Sequence, residues 1–237
     1  MRNRVRRALY GLAAGVAVTT ALGLTAAGTA SAATAEPRVH PAATWSCGPT
    51  CINPYTQAYG PFFVLNVNNG LEHVGNKIDL FDASNYNEGQ DWTIDLQGSV
   101  RRLYYYGLVS ANLALHYGHM PAFELEFTPL GIESGLCQGT AGTATNGEKV
   151  SLQWCGNDSR TIWVLDFRDA PIVSGIYVPV IAGSDTNFSD PQVLTAPGSP
   201  YLASQPQLIT RRLQTFATGS VNVNQMWWAF PGEVGSP

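Results

Sequence analysis

Two stretches of this 237-residue chain repeat one another. Gly75-Asn76-Lys77-Ile78-Asp79-Leu80 and Gly147-Glu148-Lys149-Val150-Ser151-Leu152 both read Gly-polar-Lys-apolar-polar-Leu, and they end 12 and 11 residues before a tryptophan, Trp92 and Trp163. Agreement in order, chemistry and spacing points to supersecondary units that recur along the chain and share a core. The tryptophans close Gln90-Asp91-Trp92 and Thr161-Ile162-Trp163, and Gln225-Met226-Trp227, preceded by Asn222-Val223-Asn224, supplies a third and less regular copy.

Between these marks the chain is made of short β-like segments. Phe62-Phe63-Val64-Leu65-Asn66-Val67 stops at Asn68-Asn69-Gly70, and the stretches 77–81, 149–154 and 161–165 alternate apolar with polar residues. The 24 Gly and 15 Pro are spread along the sequence, as many tight turns require. No window beyond the first 32 residues carries a long, capped helical period. The pattern predicts an all-β domain, a barrel or sandwich rather than alternating β and α units.

On these residues the chain resembles the ricin-type lectins, the Gln-x-Trp repeat family. The resemblance covers about 60–94, 135–166 and 190–230. It implies a β-trefoil, a six-stranded barrel capped by three hairpins, over 59–237. Trp spacings of 71 and 64 residues exceed the family's unit, so insertions are expected within 104–130 and 183–207; loop-closure entropy grows slowly enough with length to tolerate them. Trp92, Trp163 and Trp227 are expected in the core, with the Gln side chains satisfying backbone groups at strand ends. A sugar site needs a carboxylate or amide for vicinal hydroxyls and an aromatic face for the ring. The resemblance places these in unit one at Asn66 and Phe81, with Asp79 and Gln90 on a polar rim and Gly89 in place of the usual Asn. In unit two Gly139, Gln153 and Arg160-Thr161 leave no site. Unit three keeps Asn224 and Gln225, with Thr195 and Gln214 where the acid and the aromatic belong.

The chain opens as a secretory signal, residues 1–32. Arg2, Arg4, Arg6 and Arg7 precede a small-residue apolar stretch that closes on Ala30-Ser31-Ala32; an uncleaved anchor is the alternative. Removing these residues leaves 9 basic against 17 acidic side chains, a net charge of −8, which disfavours nucleic-acid binding. No later stretch is long and apolar enough to span a bilayer, so no membrane association is expected after cleavage. Residues 33–58 read as a flexible mature N-terminus carrying Cys47 and Cys51. With Cys137 and Cys155 these make four cysteines, and in an exported chain an even count suggests disulfides. Of the three pairings, Cys47–Cys51 with Cys137–Cys155 closes two local loops. A zinc site at Cys47 and Cys51 is the alternative, weakened by the absence of a nearby His. The resemblance also implies a disulfide inside a unit, which suits Cys137 and Cys155.

No nucleophile elbow or phosphate loop occurs, so no catalytic residue, cofactor or metal is assigned. His116 and His119 would need Glu124 as a third ligand, and Glu124 with Glu126 reads as a solvated strand face. Tyr104, Tyr105, Tyr106, Tyr117, Phe123 and Trp228 lie outside the repeat tryptophans and either cover the insertions as a satellite core or form a binding surface. The sequence reads as a secreted, extracellular, non-enzymatic module whose partner is a glycan or polysaccharide. The second reading is a secreted protein, such as a protease, bound through the Pro-rich 183–207 loop.

Overall fold

The computed structural model describes residues 51–83, 87–156, 158–168, 177–187, 189–198 and 206–228. The predicted signal segment and Cys47 lie outside them.

Among the described residues twelve strands fall into three groups of four. Unit one holds β1 (Cys51–Ile52), β2 (Phe63–Val67), β3 (Ile78–Asp82) and β4 (Trp92–Ser99). Unit two holds β5 (Pro121–Phe127), β6 (Leu136–Thr140), β7 (Val150–Trp154) and β8 (Trp163–Leu165). Unit three holds β9 (Tyr177–Ala182), β10 (Gln192–Thr195), β11 (Ile209–Arg212) and β12 (Met226–Trp228). The first and last strand of each unit pair around a ring, β1·β4·β5·β8·β9·β12. The ring closes where Thr56 bridges Trp227, with Gln57 N–H donating to Met226 O at 2.8 Å and Trp228 N–H to Tyr55 O at 2.9 Å. Closing the barrel removes exposed edges that would otherwise pair with other chains.

The middle strands form hairpins β2–β3, β6–β7 and β10–β11. Three links join them in a triangle: Leu152 N–H to Asn76 O (2.9 Å), Val150 N–H to Leu208 O (2.9 Å) and Leu208 N–H to Ile78 O (2.8 Å). At the centre Ile78, Val150 and Leu208 occupy equivalent places and are fully buried. The repeated Gly-polar-Lys-apolar stretch is therefore the strand that meets its two counterparts in the cap.

Barrel and cap are tied by one hydrogen bond made three times. The indole N–H of Trp92 donates to Leu65 O (3.1 Å), that of Trp163 to Gln138 O (3.0 Å) and that of Trp227 to Leu194 O (2.9 Å). Each acceptor is the third residue of the second strand in the same unit. All three tryptophans are in the core, as expected.

Several boundaries differ from the sequence expectation. The barrel starts by Cys51, so 51–58 is not a flexible lead-in; its backbone is held by β4 and β12. β5 and β10 fall inside the predicted insertions, because strands this short between irregular stretches carry too few alternations to stand out. The insertion between units one and two is a pair of helices, α1 (Val100–Tyr105) and α2 (Ala111–Tyr117). Six and seven residues are too few to show a helical period or to be stable alone. Ser99 Oγ accepts from Arg102 N–H and Ser110 Oγ from Leu113 N–H, capping both N-termini. Val100, Leu103, Leu113 and Tyr117 then form a second core against Ala122, Val164, Ile181 and Val193 on the outside of the barrel.

Cys137 and Cys155 form a disulfide across the open end of the β6–β7 hairpin. Cys51 is disulfide-bonded as well, with its partner outside the described residues.

Trp163→Phe leaves a buried carbonyl on Gln138 without its donor and a gap in the core, at an expected cost of about 2–4 kcal/mol by urea denaturation. Trp154, which is 70 % exposed, is the control, and its Phe variant is expected to stay within about 0.5 kcal/mol of wild type. Equal costs at both positions would contradict the role of the indole bond.

Candidate functional site

The residues that follow the three indole acceptors, Asn66, Gly139 and Thr195, are equivalent by construction, and each faces a residue of the next strand: Asp79, Ser151 and Ile209.

In unit one Asn66 Nδ2 donates to Asp79 Oδ1 (3.0 Å), and Lys77 Nζ pairs with Asp79 Oδ2 (2.9 Å). Asn87 Nδ2 donates to Asn66 Oδ1 (3.1 Å), while its own Oδ1 accepts from Gly89 N–H (3.0 Å). Asn66 and Asp79 are therefore buried and mutually satisfied. Burial pushes the Asp79 carboxyl above the ordinary carboxylate range, against the pull of Asn66 and Lys77. Gly89 is required by space, since a Cβ there would lie 2.7 Å from Asn66 Oδ1 and from Val67 O.

Asp79 and Gln90 do not form a rim. Asp79 is sealed by its partners, and the fully buried Gln90 donates from Nε2 to Asp82 O (2.7 Å). What unit one presents outward is Phe81, half-buried on the same strand face as Asp79. The strand's alternation sets this arrangement, with Ile78 and Leu80 turned into the core.

In unit two the place of Asn66 is closed. A Cβ on Gly139 would lie 2.8 Å from Arg160 O, Gln153 Nε2 donates to Ser151 Oγ (2.9 Å), and Arg160 pairs with Asp158. Unit three departs from the expected register. Arg211, not Gln214, stands at the position of Phe81, because it faces Val193 as Phe81 faces Val64. Gln214 instead donates its backbone N–H to Gln225 Oε1 (2.8 Å), and Gln225 Nε2 donates to Arg212 O (2.9 Å) and Thr195 Oγ1 (3.1 Å). Gln225 is thus the buried counterpart of Gln90. Asn224 is half-buried, donating its N–H to Asn222 Oδ1 and accepting at its carbonyl from Ala196 N–H.

Sequence reasoning missed the residue five places before each tryptophan. Asn87, Asp158 and Asn222 each accept a backbone N–H two residues on, from Gly89, Arg160 and Asn224, and so shape the turn that delivers the tryptophan. The fixed spacing was a visible signal.

Glu124 is buried rather than solvated. It accepts from Thr161 Oγ1, Gly156 N–H (3.3 Å) and Gln97 Nε2 (3.3 Å). Glu126 accepts from Gly135 N–H, and burial with nearby acids pushes its carboxyl up. His116 and His119 are exposed, and no three metal-ligating groups cluster among the described residues. Tyr117 and Phe123 are core residues, whereas Tyr104, Tyr105 and Tyr106 are exposed. Part of the Pro-rich 183–207 stretch lies outside the described residues; of the rest, Asp185 accepts from Asn187 and Gln192 N–H, which orders the turn into β10.

Among solved structures the chain is similar to the designed three-fold symmetric protein ThreeFoil, at 14 % identity and a TM-score of 0.50 over 75 % of this chain and 96 % of that one. The fold is a β-trefoil. A chain from the structure of a mosquitocidal holotoxin is also similar, at 11 % identity and a TM-score of 0.45, over 74 % of this chain and 16 % of the toxin chain. No protein-family model and no curated protein sequence matches the chain. Among the described residues no helix is long and apolar enough to cross a membrane.

The raised carboxyl of Asp79 fixes the sign of a pH effect. The fold favours its neutral form, so this group's contribution is complete below the unfolded-state pKa and is lost as pH rises through the folded one. The stability of Asp79→Asn relative to wild type is therefore expected to improve between about pH 3 and pH 7, read by urea denaturation at each pH. A difference that stays flat or reverses would contradict the burial of a titrating carboxyl here.

Proposed function

We propose that the chain is an exported, non-catalytic carbohydrate-binding module of Gln-x-Trp type that binds through unit one. Phe81 carries this reading. It is the aromatic side chain that a hairpin of the cap presents outward on the same strand face as a buried amide–carboxylate pair. A sugar ring laid on it meets an apolar face below, with Lys77 and Asn87 within the same unit to address hydroxyls. Asn66, Asp79 and Gln90 act beneath this surface, holding β2, β3 and the 87–90 turn together; Asn224 and Gln225 do the same in unit three. Units two and three place Gln153 and Arg211 where unit one has Phe81, so binding is assigned to one unit. Export rests on the cationic, small-residue start of the chain and agrees with the disulfide between Cys137 and Cys155. The non-catalytic assignment rests on the absence of a recognisable nucleophile or acid–base set in the sequence.

A screen of neutral glycans and polysaccharides against the mature chain, with Phe81→Ala alongside, tests the reading. Saturable binding is expected, and loss of the stacking contact lowers affinity about tenfold with Tm nearly unchanged. Binding that ignores the substitution moves the site elsewhere, and a folded protein that binds no glycan overturns the reading.

A further inference from the structure

The insertion between units one and two builds a second surface with its own chemistry. From Leu96 to Phe123 the chain contains no Asp or Glu, yet it carries Arg101, Arg102, His116 and His119 in a protein that is otherwise acidic. Tyr105 and Tyr106 are 77 % and 64 % exposed here, and Leu96 is 57 % exposed. Exposed aromatic side chains gathered beside basic ones are the usual mark of a binding surface.

The surface is concave. The β4–β5 ladder slips between Leu96 and Gly98, where Gly98 takes a φ of 94°. At this slip lies a groove of about 330 Å3, lined by Leu96, Gln97 and Gly98 of β4 and by Arg102, Leu103 and Tyr106 of the helical insertion. That volume lies at the lower end of the range for ligand sites, about 300–1,000 Å3. Arg102 is the charged residue lining it, and its guanidinium lies 5.8 Å from the centre of the Tyr106 ring. Among the described residues Arg102 forms no ion pair, whereas Lys77, Arg160, Arg168 and Arg212 do. The neighbouring acids Asp95 and Glu124 accept from Gln97 Nε2 and do not line the groove.

We infer that this groove binds a sugar ring bearing a carboxylate, a uronic- or sialic-acid residue of a larger glycan. The guanidinium fork matches a carboxylate in a two-bond geometry, and the Tyr106 ring that flanks it preorganises its plane. Tyr106 and Leu96 offer apolar surface to the C–H side of the ring. A flat anionic membrane would use exposed arginine and tyrosine side chains without needing a groove beside them. The inference rests on the carbohydrate-binding reading but not on the Phe81 site.

The test titrates the mature chain with a hexuronate oligosaccharide, a sialylated oligosaccharide, the carboxyl-reduced form of each, and vesicles containing anionic phospholipid. At least one carboxylated sugar is expected to bind about tenfold more tightly than its reduced form, with affinity falling as salt rises. Which one binds names the source of the carboxylate. Arg102→Gln and Tyr106→Ala are each expected to weaken that binding about tenfold. Arg101→Gln, which lies outside the groove, is expected to change it less than about twofold. Equal binding of acid and reduced sugars, indifference to Arg102→Gln, or Arg102-dependent binding to vesicles alone would overturn the inference. If neutral glycans still bind and Phe81→Ala weakens that binding while acid and reduced sugars bind alike, the carbohydrate reading stands while this one falls; no glycan binding of any kind removes both.

Discussion

The indole N–H of Trp92, Trp163 and Trp227 each reaches a carbonyl in the second strand of its own unit, and the rest of the molecule is arranged around that bond. The tryptophan belongs to the barrel and the carbonyl to a cap hairpin. A single side chain therefore fills the core and fixes how far the hairpin sits above the barrel. The acceptor's position sets the register of the second strand, and pairing passes that register to the third. Ile78, Val150 and Leu208 arrive together at the centre of the cap as a consequence. Burying an indole with its N–H satisfied contributes a few kcal/mol per unit, and leaving the N–H unpaired would cancel much of it.

The same register decides which chemistry each unit displays. The residue after the acceptor lies under the outer face of the hairpin, close to the turn that brings in the tryptophan. In unit one Asn66 fills that place, and it stays buried because Asp79 and Asn87 complete its hydrogen bonds while Lys77 pairs with Asp79. In unit two the turn closes directly on Gly139. Unit three is held by Gln225 through Thr195 and Arg212. Three equal scaffolds thus carry three different surfaces, and at the position paired with the residue before the acceptor only unit one has an aromatic ring, Phe81, where units two and three have Gln153 and Arg211.

Much of the scaffold was legible in the sequence and much of the site was not. The Gly-polar-Lys-apolar-polar-Leu stretch marks the cap strand because its apolar positions face one shared core. The third copy hides the pattern, with Gln207 in place of Lys and Thr210 in place of Leu, although Leu208 keeps the central position. β11 ends at Arg212, and sequence alone gave no way to choose Arg211 over Gln214 as the counterpart of Phe81. The glutamines illustrate a different limit. An amide serves a sugar hydroxyl or a backbone carbonyl equally well, and only the fold shows that Gln90 and Gln225 are enclosed. The helices escaped notice because their stability comes from packing on Ala122, Val164 and Ile181 rather than from local propensity.

Hydrogen exchange of the indole N–H groups, followed by NMR on the folded chain, tests the thrice-repeated bond most directly. The signals of Trp92, Trp163 and Trp227 are expected to exchange slowly, at rates close to that of global unfolding, while the exposed Trp154 exchanges at once. If any of the three exchanges as fast as Trp154, that unit is not anchored by its tryptophan, and the equivalence of the three units fails.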